Sequence, residues 1–448
     1  MTAIIDEIIG KLKREIEKFT EEKTHSIDEA EKYFVPKVNE TVTSLLTAYY
    51  EEIDAEIRKD KAGRKQAGLS IERNNEQREI LTKLGVVQYR RTYYSKASGG
   101  YEYPVDMVVG LEPYQRISDS VSLALVENSV LMSYSDVSDL VTDGYVSRQT
   151  VMNKIRNSHA VREAVVYSRV PVIHIDADED HVALQNGKNT IVPLISCYEG
   201  IQKHGKRGEC KNIFHYSEYG NRSGELWEKF LDELERRYDL TGTKIYLHGD
   251  GAPWIKLGSE YLPHCTFVLD RYHVNAAMKK AISCFDEDDK QAYLAALREA
   301  ELSGDRDFYG SVIESICLQG NEENAEAARY LLNNFEAIHV YHADPEAANG
   351  GATEPHVSHV LSSRLSSRPM GWSKETLTHF APILAAGHAT LIPPEEPLEE
   401  PFKNEFKHYL KPKKKKFIPN SLGLPDPDIA VFPRTRTGHR PYALNLLT

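Results

Sequence analysis

Three places in this sequence put carboxylates where one site could collect them. In Val172–Leu184 (VIHIDADEDHVAL), Asp176, Asp178 and Asp180 stand at every second position. Side chains alternate along a strand, so all three share one face. Like charges crowded on one face repel unless something positive lies between them, and a divalent cation with hard oxygen ligands, such as Mg²⁺, is the usual answer. Asp250 follows in YLHGDGAPWI, flanked by glycines that leave room for a ligand. Glu354 comes later, at the start of a helix-forming stretch. Two aspartates from a sheet and a glutamate from a later helix can hold two metal ions about 4 Å apart. Such a pair activates a water or a 3′-hydroxyl and stabilises the leaving oxygen of an in-line displacement at phosphorus. A second cluster, Asp270-Arg271-Tyr272-His273, reads either as support for that site or as a helix N-cap by Asp270 with a packed His273. His174, His181, His248 and His264 lie near predicted strand ends, but no HxxxH or HExxH spacing occurs, so no zinc site is predicted.

The elements that must position these acids follow from hydrophobic period and turn residues. Residues 170–270 predict strands at Val172–Leu184, Thr190–Tyr198 and Asn212–Tyr219, with a turn at Asn186-Gly187. A helix over Gly224–Tyr238, a strand over Lys244–Leu247, a short helix and a strand over Cys265–Leu269 come next. Three strands in succession and then helix-strand-helix-strand make a mixed α/β sheet, in the order of an RNase H-like core. Asp250 falls at the C-terminal end of its strand, where α/β sites form. Residues 271–349 predict an all-helical insertion, with helices over Ala276–Cys284, Lys290–Leu302, Phe308–Cys317 and Ala325–Phe335. Residues 350–392 return to the core, with a helix from Glu354 to about Leu365.

The remaining regions bear on partners. Residues 1–65 predict helices, Ile4, Ile5, Ile8, Ile9, Leu12 and Ile16 recurring at helical spacing, with a break at Pro36 and a second stretch over Val38–Ile57. This is a packing or oligomerisation arm. Residues 66–116 form a small β-rich region with a hairpin around Gly85. There Arg90, Arg91, Tyr93 and Tyr94 are either a basic-aromatic surface for nucleic acid or an ordinary solvated sheet face. Residues 117–160 predict a helix-turn-helix: Val121–Met132, Ser135–Val141, a break at Asp143-Gly144, then Arg148–Arg156 capped by Ser147. Val151 and Ile155 face the core, which leaves Arg148, Gln149, Asn153, Lys154 and Arg156 exposed, and these are types that reach base edges. The tail, residues 393–448, is proline-rich, and its segment Lys403–Lys416 holds seven lysines against one glutamate. It reads as a solubilising tail or a phosphate-backbone contact.

Composition bounds the rest. The 448 residues carry 55 basic and 67 acidic side chains, a formal net charge of −12, and are 41% hydrophobic. That supports real cores and two to four domains at roughly 100–200 residues each. The acidic sum places any nucleic-acid contact on local patches. No run approaches the roughly 18–20 apolar residues of a membrane helix, and the amphipathic, charged start is no signal peptide. The five scattered cysteines form no CxxC pair, which argues against a zinc ribbon or disulfide framework and for a reducing cytoplasm.

Four segments carry a resemblance: IDADEDHVALQ (Ile175–Gln185), YLHGDGAPWI (Tyr246–Ile255), LDRYHVNAAMKKAI (Leu269–Ile282) and GATEPHVSHVLSSRLSSRPMGWS (Gly351–Ser373). With them most of the chain resembles bacterial insertion-sequence transposases of the DDE type. More narrowly, it resembles a group once catalogued as an uncharacterised protein family and related to Mutator-like transposases. The resemblance implies an RNase H-like catalytic core interrupted by a helical insertion, a helix-turn-helix that recognises terminal inverted repeats, and Mg²⁺ or Mn²⁺ as cofactor, two ions. It implies Asp250 and Glu354 as the second and third acids. Asp178 matches the first, with Asp176, two residues earlier on the same face, as the alternative. It also implies double-stranded DNA as partner, a dimer or larger assembly holding two DNA ends, and a bacterial cytoplasm with association to the nucleoid when acting. Two departures stand out: KASGGY (Lys96–Tyr101) lacks the cysteines of the zinc ribbon that related transposases place before the core, and the chain is acidic overall. The rival readings are an RNase H-like nuclease without strand transfer and a DNA-binding protein whose acidic site has decayed.

Overall fold

The N-terminal apolar period produces helices. The computed structural model describes residues 2–21, 25–161, 167–204, 207–351, 353–368 and 370–391. In it, α1 (Thr2–Thr20), α2 (Ile27–Lys59) and α3 (Lys61–Gln66) fill the first region. A capping box starts α2: Ser26 Oγ accepts from the Glu29 N–H at 3.2 Å, and the Glu29 carboxylate accepts from the Ser26 N–H at 2.8 Å. The predicted break at Pro36 does not occur, because Pro36 lies inside α2. An internal proline costs a helix about 3 kcal/mol. Contacts from α1 on the turn before it offset that cost: Tyr33 donates to Glu15 at 2.9 Å, and Phe19 packs on Tyr33 and Phe34.

A hairpin follows. β1 (Leu69–Thr82) and β2 (Gly85–Lys96) pair antiparallel, and β3 (Tyr101–Glu102) extends the sheet beside β2. Helix α2 lies on this sheet, where buried Asp54 accepts from the Thr92 N–H at 2.9 Å and its hydroxyl at 2.8 Å. α4 (Pro104–Val108) contributes buried Asp106. These contacts correct the basic-aromatic surface. Tyr94 is fully buried, and Arg91 is ion-paired with Asp106 and stacked 3.5 Å over the Tyr103 ring. Arg90 alone of that arginine pair is exposed.

Three short helices come next: α5 (Asp119–Ser129), α6 (Tyr134–Thr142) and α7 (Arg148–Arg156). Each opens on a serine whose hydroxyl accepts a backbone N–H: Ser118, Ser133 and Ser147. The chain reverses after α6 through Asp143 and Gly144, both left-handed at φ 49° and 75°. Val151 and Ile155 are buried. Val151 joins Leu81, Val121, Leu125 and Val137, whereas Ile155 and Val126 join the core of the next sheet, so the three-helix unit is wedged between hairpin and sheet.

That sheet has five strands in the order β11-β10-β5-β6-β9. After β4 (Ser158–Ala160) come β5 (Val172–Ala183), β6 (Asn189–Tyr198), a small hairpin of β7 (Ile201–His204) and β8 (Arg207–Cys210), and β9 (Phe214–Tyr216). α8 (Ser223–Arg237), β10 (Lys244–Gly249), α9 (Pro253–Tyr261) and β11 (Cys265–Leu269) complete it. β6 pairs antiparallel with both β5 and β9, and β10 and β11 run parallel to β5. The β7–β8 hairpin has no counterpart in the sequence reading. The predicted strand at Asn212–Tyr219 shrinks to β9 because Asn212 is left-handed at φ 52° and breaks any extension before it. One face of the sheet (Ile173, Ile175, Ala177) packs on Trp227, Phe230 and Leu234 of α8.

Helices α10 (Arg271–Ala281), α11 (Glu287–Ser303), α12 (Arg306–Gln319), α13 (Glu322–Asn333) and α14 (Phe335–Ala343) build one core of their own around Met278, Leu297, Tyr309 and Leu331. The chain then re-enters the sheet through α15 (Thr353–Val357), a π-helical turn over Ser358–Ser362, α16 (Ser363–Leu365), α17 (Lys374–Ala386) and β12 (Ala389–Leu391), which pairs with β4. The tail at 393–448, with its lysine run, lies outside the described residues. Among the described residues no helix is long and apolar enough to cross a membrane.

Candidate active site

Parallel pairing sets the site. The β10–β5 register matches Lys244 to Val172 and ends with His248 opposite Asp176. Two residues further on, Asp250 emerges from β10 beside Asp178 of β5. Burial first, and then the charge of Asp250, push the Asp178 carboxyl up from 3.8 to about 6, while His273 opposes the rise. Asp178, Asp250 and His273 therefore feel one another. The Glu179 N–H donates to Asp178 at 2.8 Å, and Asp250 accepts from the Ala252 N–H at 2.8 Å.

The glycines beside Asp250 are required. A Cβ on Gly249 would lie 2.9 Å from the Ala177 carbonyl oxygen, and Gly251 is left-handed at φ 87°. Behind the turn, Tyr330 of α13 donates to the Asp250 carbonyl at 2.5 Å, so the helical insertion braces the loop. Asp270 caps α10, accepting from the Tyr272 N–H at 2.7 Å, with His273 Nδ1 3.9 Å from its carboxylate. The N-cap reading of that cluster is what the structure shows: Asp270 caps α10, and the His273 charge is felt at Asp178.

The three aspartates of β5 share a face but not a site. At about 3.3 Å per residue, Asp176 and Asp180 lie roughly 13 Å apart. Asp180 is buried and accepts from Ser366 Oγ at 2.8 Å. Asp176 is 1% exposed and sealed in a network. Tyr198 Oη donates across its two oxygens at 3.0 and 3.1 Å, the Gly351 N–H donates to it at 3.3 Å, and His356 Nε2 lies 3.6 Å away. The Gly351 N–H also reaches Tyr198 Oη at 3.0 Å. His174 Nδ1 and His248 Nε2 meet at 3.2 Å, and burial pulls them down to about 4 and about 3, so both are neutral. Gly350 sits against this pair, where a Cβ would lie 2.6 Å from His174 Nδ1. Asp176 thus anchors the Gly350–Gly351 loop that enters α15. Glu354 is the second residue of α15, and its side chain lies outside the described ones.

The donor set suits a hard divalent cation. Asp178 and Asp250 offer two carboxylates, and burial together with the smaller effect of the Asp250 charge raises Asp178, a cost that a cation between them would relieve. Among the described side chains no group of three acids, histidines or cysteines already converges as a metal cage. Tyr198, Tyr330 and the glycine pair escaped the sequence reading. The Gly350-Gly351 doublet signals a close approach, whereas nothing local marks the two tyrosines.

On the three-helix unit, Arg148, Gln149 and Asn153 are exposed, and Gln149 Nε2 donates to Asn153 at 3.0 Å. Lys154 is half-buried, which pulls its ammonium down. Arg156 is not free: it binds Ser373 at 2.9 Å, Thr376 at 3.0 Å and Glu375 at 2.8 Å, fastening α7 to α17.

The model of an uncharacterised protein family, UPF0236, matches residues 20–391 of the chain. A UPF0236 protein of Caldanaerobacter subterraneus subsp. tengcongensis is 37% identical over 338 residues, 74% of this chain and 71% of the relative, and its name joins eleven locus designations. A second from that organism is 36% identical over 342 residues, covering 74% and 71%. A UPF0236 protein of Streptococcus gallolyticus is 26% identical over 333 residues, covering 70% and 72%.

Proposed function

The chain belongs to the uncharacterised protein family UPF0236, and we propose that it is a DNA transposase of the DDE type, acting on the ends of its own insertion sequence. The observation that carries the proposal is the meeting of Asp178, within β5, and Asp250, just past the end of the parallel strand β10, where burial and, to a lesser degree, the Asp250 charge raise the Asp178 carboxyl. The strand order, three antiparallel strands continued by two parallel ones, supports an RNase H-like core. The helical insertion between Asp250 and Glu354 and the anchored glycine loop before α15 support Glu354 as the third acid. A relative whose name gathers many loci under one protein fits a gene carried in repeated copies.

In the proposed reaction, water attacks the phosphodiester at the element's end and the P–O3′ bond breaks; the freed 3′-hydroxyl then attacks a phosphodiester of target DNA, forming a new P–O3′ bond as the target's own P–O3′ bond breaks and its 3′-oxygen leaves. Asp178, Asp250 and Glu354 would hold Mg²⁺ or Mn²⁺, two ions, which would supply activation of the attacking oxygen and charge neutralisation of the leaving one. Asp176 takes no part in binding the cation, because it is sealed beneath the loop. Arg148, Gln149 and Asn153 lie on the face that reads the inverted repeat, and the N-terminal helices are the natural place for assembly of two copies on two ends.

The test uses purified protein, a labelled duplex carrying the element's ends, and Mg²⁺ or Mn²⁺. Nicking that needs the metal and is lost in Asp250→Asn and Glu354→Gln, with duplex binding retained, supports the reading. Joining of pre-cleaved ends to target DNA separates a transposase from a nuclease. Binding without nicking, unchanged by either substitution, refutes it.

A further inference from the structure

A cavity of about 780 Å³ lies between the hairpin, the loop after α4 and the first turns of α7. Its wall is cationic in an acidic chain: Arg78, Arg91, Arg116 and Lys154 face it against the single carboxylate of Glu79. These charges are not equivalent. Arg78 and Arg91 both lean on Asp106 beneath the floor, with Arg78 Nε 3.8 Å from it. Glu79 is bonded to Gln88 at 2.6 Å, and Asp119, whose charge reaches Lys154, accepts from Gln115 at 3.0 Å. Arg116 and Lys154 have no ion-pair partner among the described residues, although Lys154 is half-buried. Arg116 is exposed at the rim and Lys154 is half-buried with the Asp119 charge within reach, so both present cationic charge to the cleft that no ion pair within it takes up.

Two aromatic rings stand at the mouth. Tyr114 is 93% exposed and left-handed, φ 61°, a conformation that a bulky residue adopts only when something holds it there. Tyr145 is 60% exposed. Among the described residues no hydrogen bond or ring contact engages either ring. The cavity opens beside Ser147 and Thr150, at the start of the helix whose outer face carries Arg148, Gln149 and Asn153. A duplex lying on that face presents a phosphate strand at this edge.

We propose that this cleft seats the sugar–phosphate backbone of one DNA strand, with Arg116 and Lys154 each on a phosphate and the Tyr114 ring against the sugar between them. The inference rests on the proposed function and adds a binding surface that the hairpin, the post-α4 loop and α7 build together. Contacts of this kind position the duplex without reading its sequence.

The test is the salt dependence of duplex binding by the full chain, followed by fluorescence anisotropy with an element-end duplex and a scrambled one. The variants are Arg116→Ala, Lys154→Gln, Tyr114→Ala and Tyr114→Phe, and circular dichroism checks that each is folded. Each cation variant should weaken both duplexes alike and lower the slope of log K against log salt by about 0.9. Tyr114→Ala should weaken both, and Tyr114→Phe should restore wild-type affinity. Slopes and affinities equal to wild type, in a protein that still nicks element ends, overturn the cleft alone. A wild type without affinity for either duplex overturns the cleft and the proposed function together. Unchanged duplex slopes with lost affinity for polyglutamate would assign the cleft to an acidic protein segment and overturn the proposal.

Discussion

Asp178→Asn separates what the site costs the fold from what it does for chemistry. In the folded chain, burial and then the Asp250 charge lift the Asp178 carboxyl from 3.8 to about 6. At about 1.4 kcal/mol for each tenfold, keeping it ionised near about pH 8 costs the fold roughly 3 kcal/mol. Asparagine retains an acceptor for the Glu179 N–H, bonded at 2.8 Å in the wild type, and removes the charge. Its amide still pays about 1 kcal/mol for desolvation, which leaves a net stabilisation of about 2 kcal/mol. For a domain of this size that is a rise in Tm of about 4–8 °C. The sign follows from proton binding: the folded chain holds the Asp178 proton more tightly than the unfolded chain does. The wild type therefore loses stability as pH rises from about 4 through about 6 and then levels off, while the variant does not. The assay is a pair of melting curves in metal-free buffer across that range. At the acid end, where the wild-type carboxyl is neutral, the variant should melt below the wild type by the equivalent of its amide's desolvation cost of about 1 kcal/mol, and the order should reverse between the two values. Adding Mg²⁺ should raise the wild-type Tm more than the variant's, because only the wild type gains a ligand for its charge. Nicking should be lost in the variant. A variant that melts below the wild type at about pH 8, or a gap that does not change with pH, refutes the reasoning.

Three further predictions concern the supports of the site. Tyr198→Phe removes the hydroxyl that donates to Asp176 at 3.0 and 3.1 Å and accepts from Gly351 at 3.0 Å. It should cost about 1–3 kcal/mol in urea unfolding and slow nicking more than it weakens duplex binding. Gly350→Ala forces a Cβ to 2.6 Å from His174 Nδ1; an overpacking cost of about 1–3 kcal/mol should appear in the melting curve together with loss of nicking. Arg156→Ala cuts three contacts to α17, at 2.8, 2.9 and 3.0 Å. It should cost about 1–3 kcal/mol in urea unfolding and leave the salt slope of DNA binding unchanged, since that guanidinium is spent inside the fold.

What could be read from the sequence was whatever depends on local period and local turn chemistry. The alternation through β5, the serine caps and the Asp143-Gly144 turn of the three-helix unit, and the uninterrupted helices between β11 and Gly350 all predict elements that are present. Apart from the shortened strand after the left-handed Asn212, which has a local cause, the failures at Pro36, Arg91, Arg156, Tyr198 and Tyr330 come from contact between residues distant in the chain. Pro36 is carried through α2 by packing from α1. Arg91 and Arg156 look like free cations in the linear sequence, yet Asp106 and Glu375 neutralise them from elsewhere. Tyr198 and Tyr330 have no local mark at all, and their roles exist only once β6 and α13 are folded against the site.

The choice between Asp176 and Asp178 shows where that boundary falls. Periodicity can say that both share a face of β5 but not which reaches solvent, because the answer depends on how far β10 runs alongside. The register ends with His248 opposite Asp176, so Gly249 closes β10 and Asp250, two residues past the last pair, comes level with Asp178. The Gly350–Gly351 loop then closes over Asp176, and Tyr198 satisfies its two oxygens. An acid so enclosed has its charge committed to hydrogen bonds within the fold. The acid one pleat further on keeps a raised carboxyl that faces another carboxylate, and a raised, paired carboxyl is the one with free energy to gain from a cation. Asp176 and Asp178 thus differ by layer: the inner acid fixes the loop from which α15 departs, and the outer acid stands beside Asp250, where the proposed chemistry would take place.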